Sequence, residues 1–252
     1  VKVITSEVTV NTDHTSSDAS RWAALPSRSW AMLVAPAYFS VYLAYLFWHQ
    51  ENELGHWITL VALPVLLVWA IHHRSGRTLG EALASLGIGN VRWTRGLLVA
   101  GVVGVALGLL QATASRSAPA VQEAFRTGRA LWLLPVAFLV MLLMAGLTEE
   151  VFFRGFLQTR MEGLLRSRVA GLVVTSILFG VYHLPYAYYN PHWPSAGHWG
   201  AAWGAALGQG VPGGLILGTL YLYSKRNLVA PVVLHALIDA FPMMGMLHFG
   251  SG

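Results

Sequence analysis

The chain of 252 residues is 55% hydrophobic and only 11% charged, against about 25% charged residues in an ordinary soluble domain. Its 27 charged side chains cluster between long apolar runs, which excludes a single water-soluble globular domain and points to an all-α, polytopic transmembrane bundle. The net charge of +5 contains no basic run longer than a dipeptide, so no nucleic-acid partner is expected, and the absence of cysteine removes disulfides, thiolate nucleophiles and Cys-ligated metals.

In chain order, residues 1–30 are polar, rich in Ser and Thr and without an apolar stretch. They read as a cytoplasmic tail rather than a signal peptide. The chain opens on Val1, as literal translation of a non-AUG start would give, which suggests a bacterial source. Apolar segments follow at 31–48, 57–71, 97–114, 130–148, 169–184, 199–223 and 228–249. Several fall short of a comfortable bilayer span, so their ends must extend into flanking polar residues. The count is seven membrane helices, with room for an eighth in the Gly/Pro-interrupted stretch 197–223. Residues 31–129 read as an N-terminal set of transmembrane helices, and 130–252 as a C-terminal helix bundle.

The lipid bilayer is thus the first partner, and the charges set the orientation in it. Placing the N-terminus in the cytoplasm puts thirteen of the sixteen basic residues inside: Lys2, Arg21, Arg28, Arg74, Arg77, Arg92, Arg95, Arg154, Arg160, Arg166, Arg168, Lys225 and Arg226. Loop 49–56 carries Glu51 and Glu53 without a base, and 185–198 carries no charge, so both belong outside. Arg116, Arg126 and Arg129 are the exceptions. In a bacterium this describes a multi-pass protein of the plasma (inner) membrane. Gly104/Gly108, Gly200/Gly204/Gly208 and Gly214/Gly218 are spaced for close helix–helix approach.

Acids, an arginine and histidines inside apolar segments are the informative exceptions. The fourth segment ends in Thr148-Glu149-Glu150-Val151-Phe152-Phe153-Arg154, the fifth contains Phe179-Gly-Val-Tyr-His183, and the seventh reads His235-Ala-Leu-Ile-Asp239. Unpaired at bilayer depth, four such charges would cost roughly 10 kcal/mol, so pairing or a wet cavity must offset them. Glu150 and Arg154 are i,i+4 and form an intrahelical ion pair; Glu149, about 100° round the wheel, points elsewhere. His235/Asp239 and Phe179/His183 are also i,i+4. With the fourth helix ending near 158, Glu149 lies about 13 Å from that end, His183 about 21 Å from residue 169 and His235 about 12 Å from 227, so the three can share one layer.

A buried carboxylate facing two imidazoles is equipment for activating water. Glu149 suits the general base, His183 can hold or deprotonate the water, and His235 with Asp239 can face the developing oxyanion. Phe179 packs or lines the site. No GxSxG and no HExxH motif is present, which disfavours serine catalysis and a zincin site. A plain structural ion pair is the expected role of Glu150 and Arg154. His72, His73, His192 and His198 lack carboxylate partners at helical spacing and read as interfacial, as do Tyr186, Tyr188, Tyr189, Trp193 and Trp199.

Three motifs in this order on successive apolar segments, Glu-Glu-x-x-x-Arg, Phe-x-x-x-His and His-x-x-x-Asp, resemble the CPBP family over about 148–240. That family groups the type II CAAX prenyl endopeptidases with bacteriocin-processing and related bacterial proteins, also described as glutamic intramembrane proteases. The resemblance implies that Glu149 activates water with His183, that Glu150 and Arg154 hold the first motif in place, and that His235 and Asp239 form the oxyanion-side pair. The prenyl endopeptidases typically have Asn at the last position. Asp239 must therefore be protonated to donate, or must orient His235. The expected reaction is hydrolysis of a peptide bond in a membrane-anchored or C-terminally tagged polypeptide substrate. No cofactor is expected. A zinc-dependent version with Glu149, His183 and His235 as ligands suits the residue types but is required by nothing in the sequence. A transporter would need two related halves, which the sequence lacks; a non-enzymatic immunity or scaffold protein is the remaining alternative.

Overall fold

Backbone amides in lipid find no water, so apolar segments of this length must satisfy them internally as helices. The computed structural model describes residues 29–49, 52–88, 95–191 and 193–247. Residues 1–28 of the expected tail 1–30, and with them Lys2, Arg21 and Arg28, lie outside them, as do Glu51, Arg92 and His192, while Ser29 and Trp30 of that tail belong to the first helix. Among the described residues every regular element is helical, and seven helices are long and apolar enough to cross a membrane. The first is Ser29–Trp48, the second Glu53–His73, the third Arg95–Ala114, the fourth Ala130–Leu165, the fifth Arg168–Tyr189, the sixth Trp199–Tyr223 and the seventh Val229–Met246. The stretch 197–223 holds one span, not two, with a wide π-type turn over Ala206–Gly210 absorbing its Gly-rich sequence.

The fourth helix departs most from expectation. It continues past 158 to Leu165, 36 residues in all, or about 54 Å at 1.5 Å per residue, well beyond a hydrocarbon core of about 30 Å. Arg166 then takes a left-handed conformation (φ 50°) that stops it. Ser167 caps the fifth helix, its Oγ accepting from the Ala170 amide at 3.2 Å. Two stretches of the fourth helix, Leu142–Gly146 and Val151–Gln158, wind in wide π-type turns on either side of Glu149–Glu150. Such turns misalign backbone carbonyls, and side chains take two of them up. Thr159 Oγ1 donates to the Arg154 carbonyl at 3.0 Å, and Arg160 Nη1 to the Gly155 carbonyl at 2.8 Å.

The seventh helix packs along the third and along the first half of the fourth; the fifth packs between the sixth and the end of the fourth. Rings lock the fourth helix in rotation. Phe152, Phe153 and Phe156, directly after the two glutamates, sit among Phe39 and Tyr42 of the first helix and Phe179 and Tyr182 of the fifth. The Phe153–Phe179 pair is edge-to-face at 4.8 Å between centroids. One end of the bundle is basic. There the short helix Leu79–Ser85, closed by a Thr78/Glu81 capping box, meets the end of the fourth helix, where Arg160 Nη2 reaches Ser85 Oγ at 3.2 Å. Hydrogen bonds from Thr78 hold the exposed Glu81 carboxyl below the usual range. At the other end Arg126, one of the three basic exceptions, is neutralised by Glu123 at 2.7 Å on the short helix Ala118–Arg126.

Of the three glycine rows, two make the expected close approaches. A Cβ on Gly108 would lie 2.6 Å from the Leu237 carbonyl oxygen, and one on Gly214 2.8 Å from Ser176 Cα. The Gly200/Gly204/Gly208 row does not, since nothing lies within 4 Å of a Cβ at any of them. The sixth helix instead turns Ala202, Ala206, Gly210, Gly214 and Gly218 inward at four-residue spacing. A row offset by two positions is on the opposite face. Gly108→Ala is therefore expected to lower stability by about 1–3 kcal/mol through overpacking. Gly204→Ala should be neutral or stabilising by up to about 1 kcal/mol. Thermal unfolding of the purified variants in detergent distinguishes them.

Candidate active site

The i,i+4 spacing of Glu150 and Arg154 closes the expected pair, with Arg154 Nη1 donating to Glu150 Oε1 at 2.9 Å. Both side chains are buried, at 0% and 1% exposure. Burial of a guanidinium demands more than one partner, and the fold supplies two more. Arg154 Nη2 donates to the Gly214 carbonyl at 3.3 Å, and the guanidinium lies over the Phe179 ring, 4.6 Å from its centroid. Phe179 therefore packs, and its ring also touches those of His183 (4.7 Å) and His235 (6.0 Å).

The same Glu150 oxygen receives a second bond. His235 Nδ1 lies 2.8 Å from Oε1, so Nδ1 carries the proton and donates. This goes beyond the local pair read from sequence, because Glu150 joins the fourth helix to the seventh. His235 Nε2 then faces two further carboxylates, Asp239 Oδ2 at 3.4 Å and Glu149 Oε2 at 3.9 Å. Glu149 is buried at 8% exposure, and its Oε2 has no hydrogen-bond partner. Its Oε1 is 3.5 Å from the Tyr182 hydroxyl, which is in turn 3.2 Å from His56 Nε2 of the second helix. Glu149, Glu150, Arg154, His235 and Asp239 thus form one polar cluster inside the bundle. With the fourth helix running to Leu165, Glu149 is about 24 Å from that end rather than about 13 Å.

His183 stands apart from this cluster. Half-buried at the kink before Leu184–Tyr189, it donates from Nδ1 to the Phe179 carbonyl at 2.7 Å, and its ring rests on Tyr182 at 5.0 Å. A carbonyl cannot donate, so in the neutral ring Nε2 holds the lone pair. No described hydrogen bond or ion pair links His183 to Glu149 or His235, and among the described residues no three His, Asp or Glu side chains are arranged to hold a metal ion. His72, expected at an interface, is instead buried at 2% exposure.

Sequence reasoning missed Tyr182, His56 and the Gly214 carbonyl. Tyr182 had a signal: it lies within the Phe-x-x-x-His motif and one turn from Phe179. His56 had none, because it lay in an expected loop, whereas Asn52 Oδ1 caps the second helix early by accepting from the Gly55 amide at 2.8 Å.

Seven apolar helices around a buried acid–histidine cluster define a multi-pass membrane protein with an interior polar site. Residues 131–241, which carry all three motifs, match the family model described as Type II CAAX prenyl endopeptidase Rce1-like. Over that segment the chain is similar to the CAAX-type intramembrane endopeptidases, which are hydrolases. No curated protein and no solved structure matches it.

The shared carboxylate makes a stability prediction. Arg154→Met leaves Glu150 buried without its cation and should cost about 3–5 kcal/mol. The unfolding midpoint of the purified variant measures this.

Proposed function

We propose that this protein hydrolyses a peptide bond with a water activated by Glu149, without a covalent acyl-enzyme. The observation that carries the reading is Glu149 Oε2, a buried carboxylate oxygen with no hydrogen-bond partner that faces His235 Nε2 at 3.9 Å. Glu149 takes a proton from water as its oxygen attacks the scissile carbonyl, and a tetrahedral oxyanion forms. The proton then passes from Glu149 to the leaving amine, and the products are a carboxylate and an amine. His235, protonated on both nitrogens in this step, donates through Nδ1 to Glu150 and presents Nε2–H to the oxyanion. Asp239, 3.4 Å from that nitrogen, orients the ring and need not donate. His183 offers its Nε2 lone pair to the water. Glu150 and Arg154 hold the constellation and exchange no proton with substrate.

The substrate in this reading is a membrane-anchored polypeptide or one with a short hydrophobic C-terminal tail, processed in an inner membrane by an enzyme whose N-terminus and basic end face the cytoplasm. The reaction is metal-independent.

Mass spectrometry of protein termini in membranes with wild type and Glu149→Ala tests the reading. Termini that appear only with wild type are expected, and if no terminus depends on Glu149 the protease reading fails. On such a substrate Glu149→Gln should lose about 10²–10⁴-fold in rate. His235→Ala should lose about 10²–10³-fold, while Asp239→Asn, which keeps an acceptor oxygen, should stay within about tenfold. Cleavage should persist in metal-stripped protein with chelator; loss of activity restored by zinc would overturn the metal-free mechanism.

A further inference from the structure

The polar cluster has one arm that leaves the C-terminal bundle. From Glu149 Oε1 it runs through the Tyr182 hydroxyl at 3.5 Å to His56 Nε2 at 3.2 Å, joining the fourth, fifth and second helices. Tyr182 is 1% exposed, and its ring is held on several sides, by Phe153 at 5.1 Å, His183 at 5.0 Å and Tyr42 at 6.2 Å between centroids. The ring leaves its hydroxyl little freedom. His56 is fixed in the first turn of the second helix, where its amide donates to the Asn52 carbonyl at 3.0 Å.

Proton counting sets the direction of the arm. An ionised Glu149 only accepts, so the single Tyr182 O–H donates to it, and the hydroxyl oxygen accepts from His56 Nε2–H. The terminal torsion of a glutamate is soft, with no sharp staggered wells. A carboxylate that must present one chosen oxygen therefore needs the other one held. Glu149 has this asymmetry: Oε1 toward Tyr182, Oε2 bare and toward His235.

We propose that Tyr182, backed by His56, is a positioning residue for Glu149: it anchors Oε1 and thereby reserves Oε2 for the attacking water. The proposal rests on the reading of Glu149 as the base, and it extends the functional constellation to the N-terminal helices, outside the segment that matches the protease family.

Infrared spectroscopy of the full-length protein in lipid nanodiscs tests it without a substrate. The carboxylate bands of Glu149 are isolated as the difference between wild type and Glu149→Gln. Tyr182→Phe keeps the ring and removes only the hydroxyl, so it should shift those bands. His56→Phe should shift them in the same direction. His56→Gln, whose amide N–H can stand where Nε2–H does, should restore them. Bands unchanged in Tyr182→Phe overturn the proposal. A shift in Tyr182→Phe with none in His56→Phe removes His56 from it, and His56→Gln behaving like His56→Phe assigns His56 to packing. Loss of Glu149-dependent termini is scored separately. Failure there sinks the proposed function whatever the bands do, and unchanged bands sink the positioning role whatever the termini do.

Discussion

One oxygen atom, Glu150 Oε1, holds the polar interior together. It accepts from Arg154 within its own helix and from His235 of the seventh helix, and it does so with no exposure to solvent. In a low-dielectric interior the strength of such a bond and the penalty for losing a partner rise together. A bilayer offers little hydrophobic force to distinguish one helix rotation from another. Here the shared carboxylate makes that choice: any rotation of the seventh helix that breaks the His235 bond also carries His235 and Asp239 together away from Glu149.

Around this atom the site is layered. The aromatic cluster of Phe152, Phe153, Phe156, Phe179 and Tyr182 forms one wall, and it is the same cluster that fixes the fourth helix against the first and fifth. Phe179 belongs to both the packing and the polar layer, since its face supports the Arg154 guanidinium and its edge region meets both histidines. Two adjacent glutamates end up with different tasks for a geometric reason. Both keep a buried Oε2 with no hydrogen-bond partner, but Glu150 Oε1 accepts from Arg154 and His235, whereas Glu149 Oε1 meets the Tyr182 hydroxyl at 3.5 Å. A carboxylate bonded to a guanidinium is the weaker base, and that contrast separates a structural acid from one able to take a proton.

Much of this was legible in the sequence, and the legible part has a common cause. The seven spans follow from segment length and polarity, and the contacts Glu150–Arg154, His235–Asp239 and Phe179–His183 follow from i,i+4 spacing. Each is decided within one helix. What escaped depends on how helices meet. The Glu150–His235 bond, the Tyr182–His56 arm and the Gly214 carbonyl require the rotation and depth of separate spans. The Gly200/Gly204/Gly208 row was misjudged because spacing alone cannot say which face of a helix looks inward; the alanine row two positions away fits closer to the fifth helix. The length of the fourth helix was underestimated because polar residues such as Gln158, Thr159, Arg160 and Glu162 end an apolar run without ending a helix.

The wide turns over Val151–Gln158 carry a consequence for how this chain can vary over evolutionary time. A π-type turn holds more residues than an α turn over a similar rise, so it is where a chain that has gained a residue stores it. Loss of that stored residue would return a turn to α winding and leave the flanking turns facing much as before. The same loss in the α-wound Arg168–Tyr182 has no such store and would swing one end against the other by about 100°. Changes of length along the fourth helix are thus absorbed beside the glutamates, whereas the fifth helix must keep its count of residues to keep Phe179 and Tyr182 facing inward.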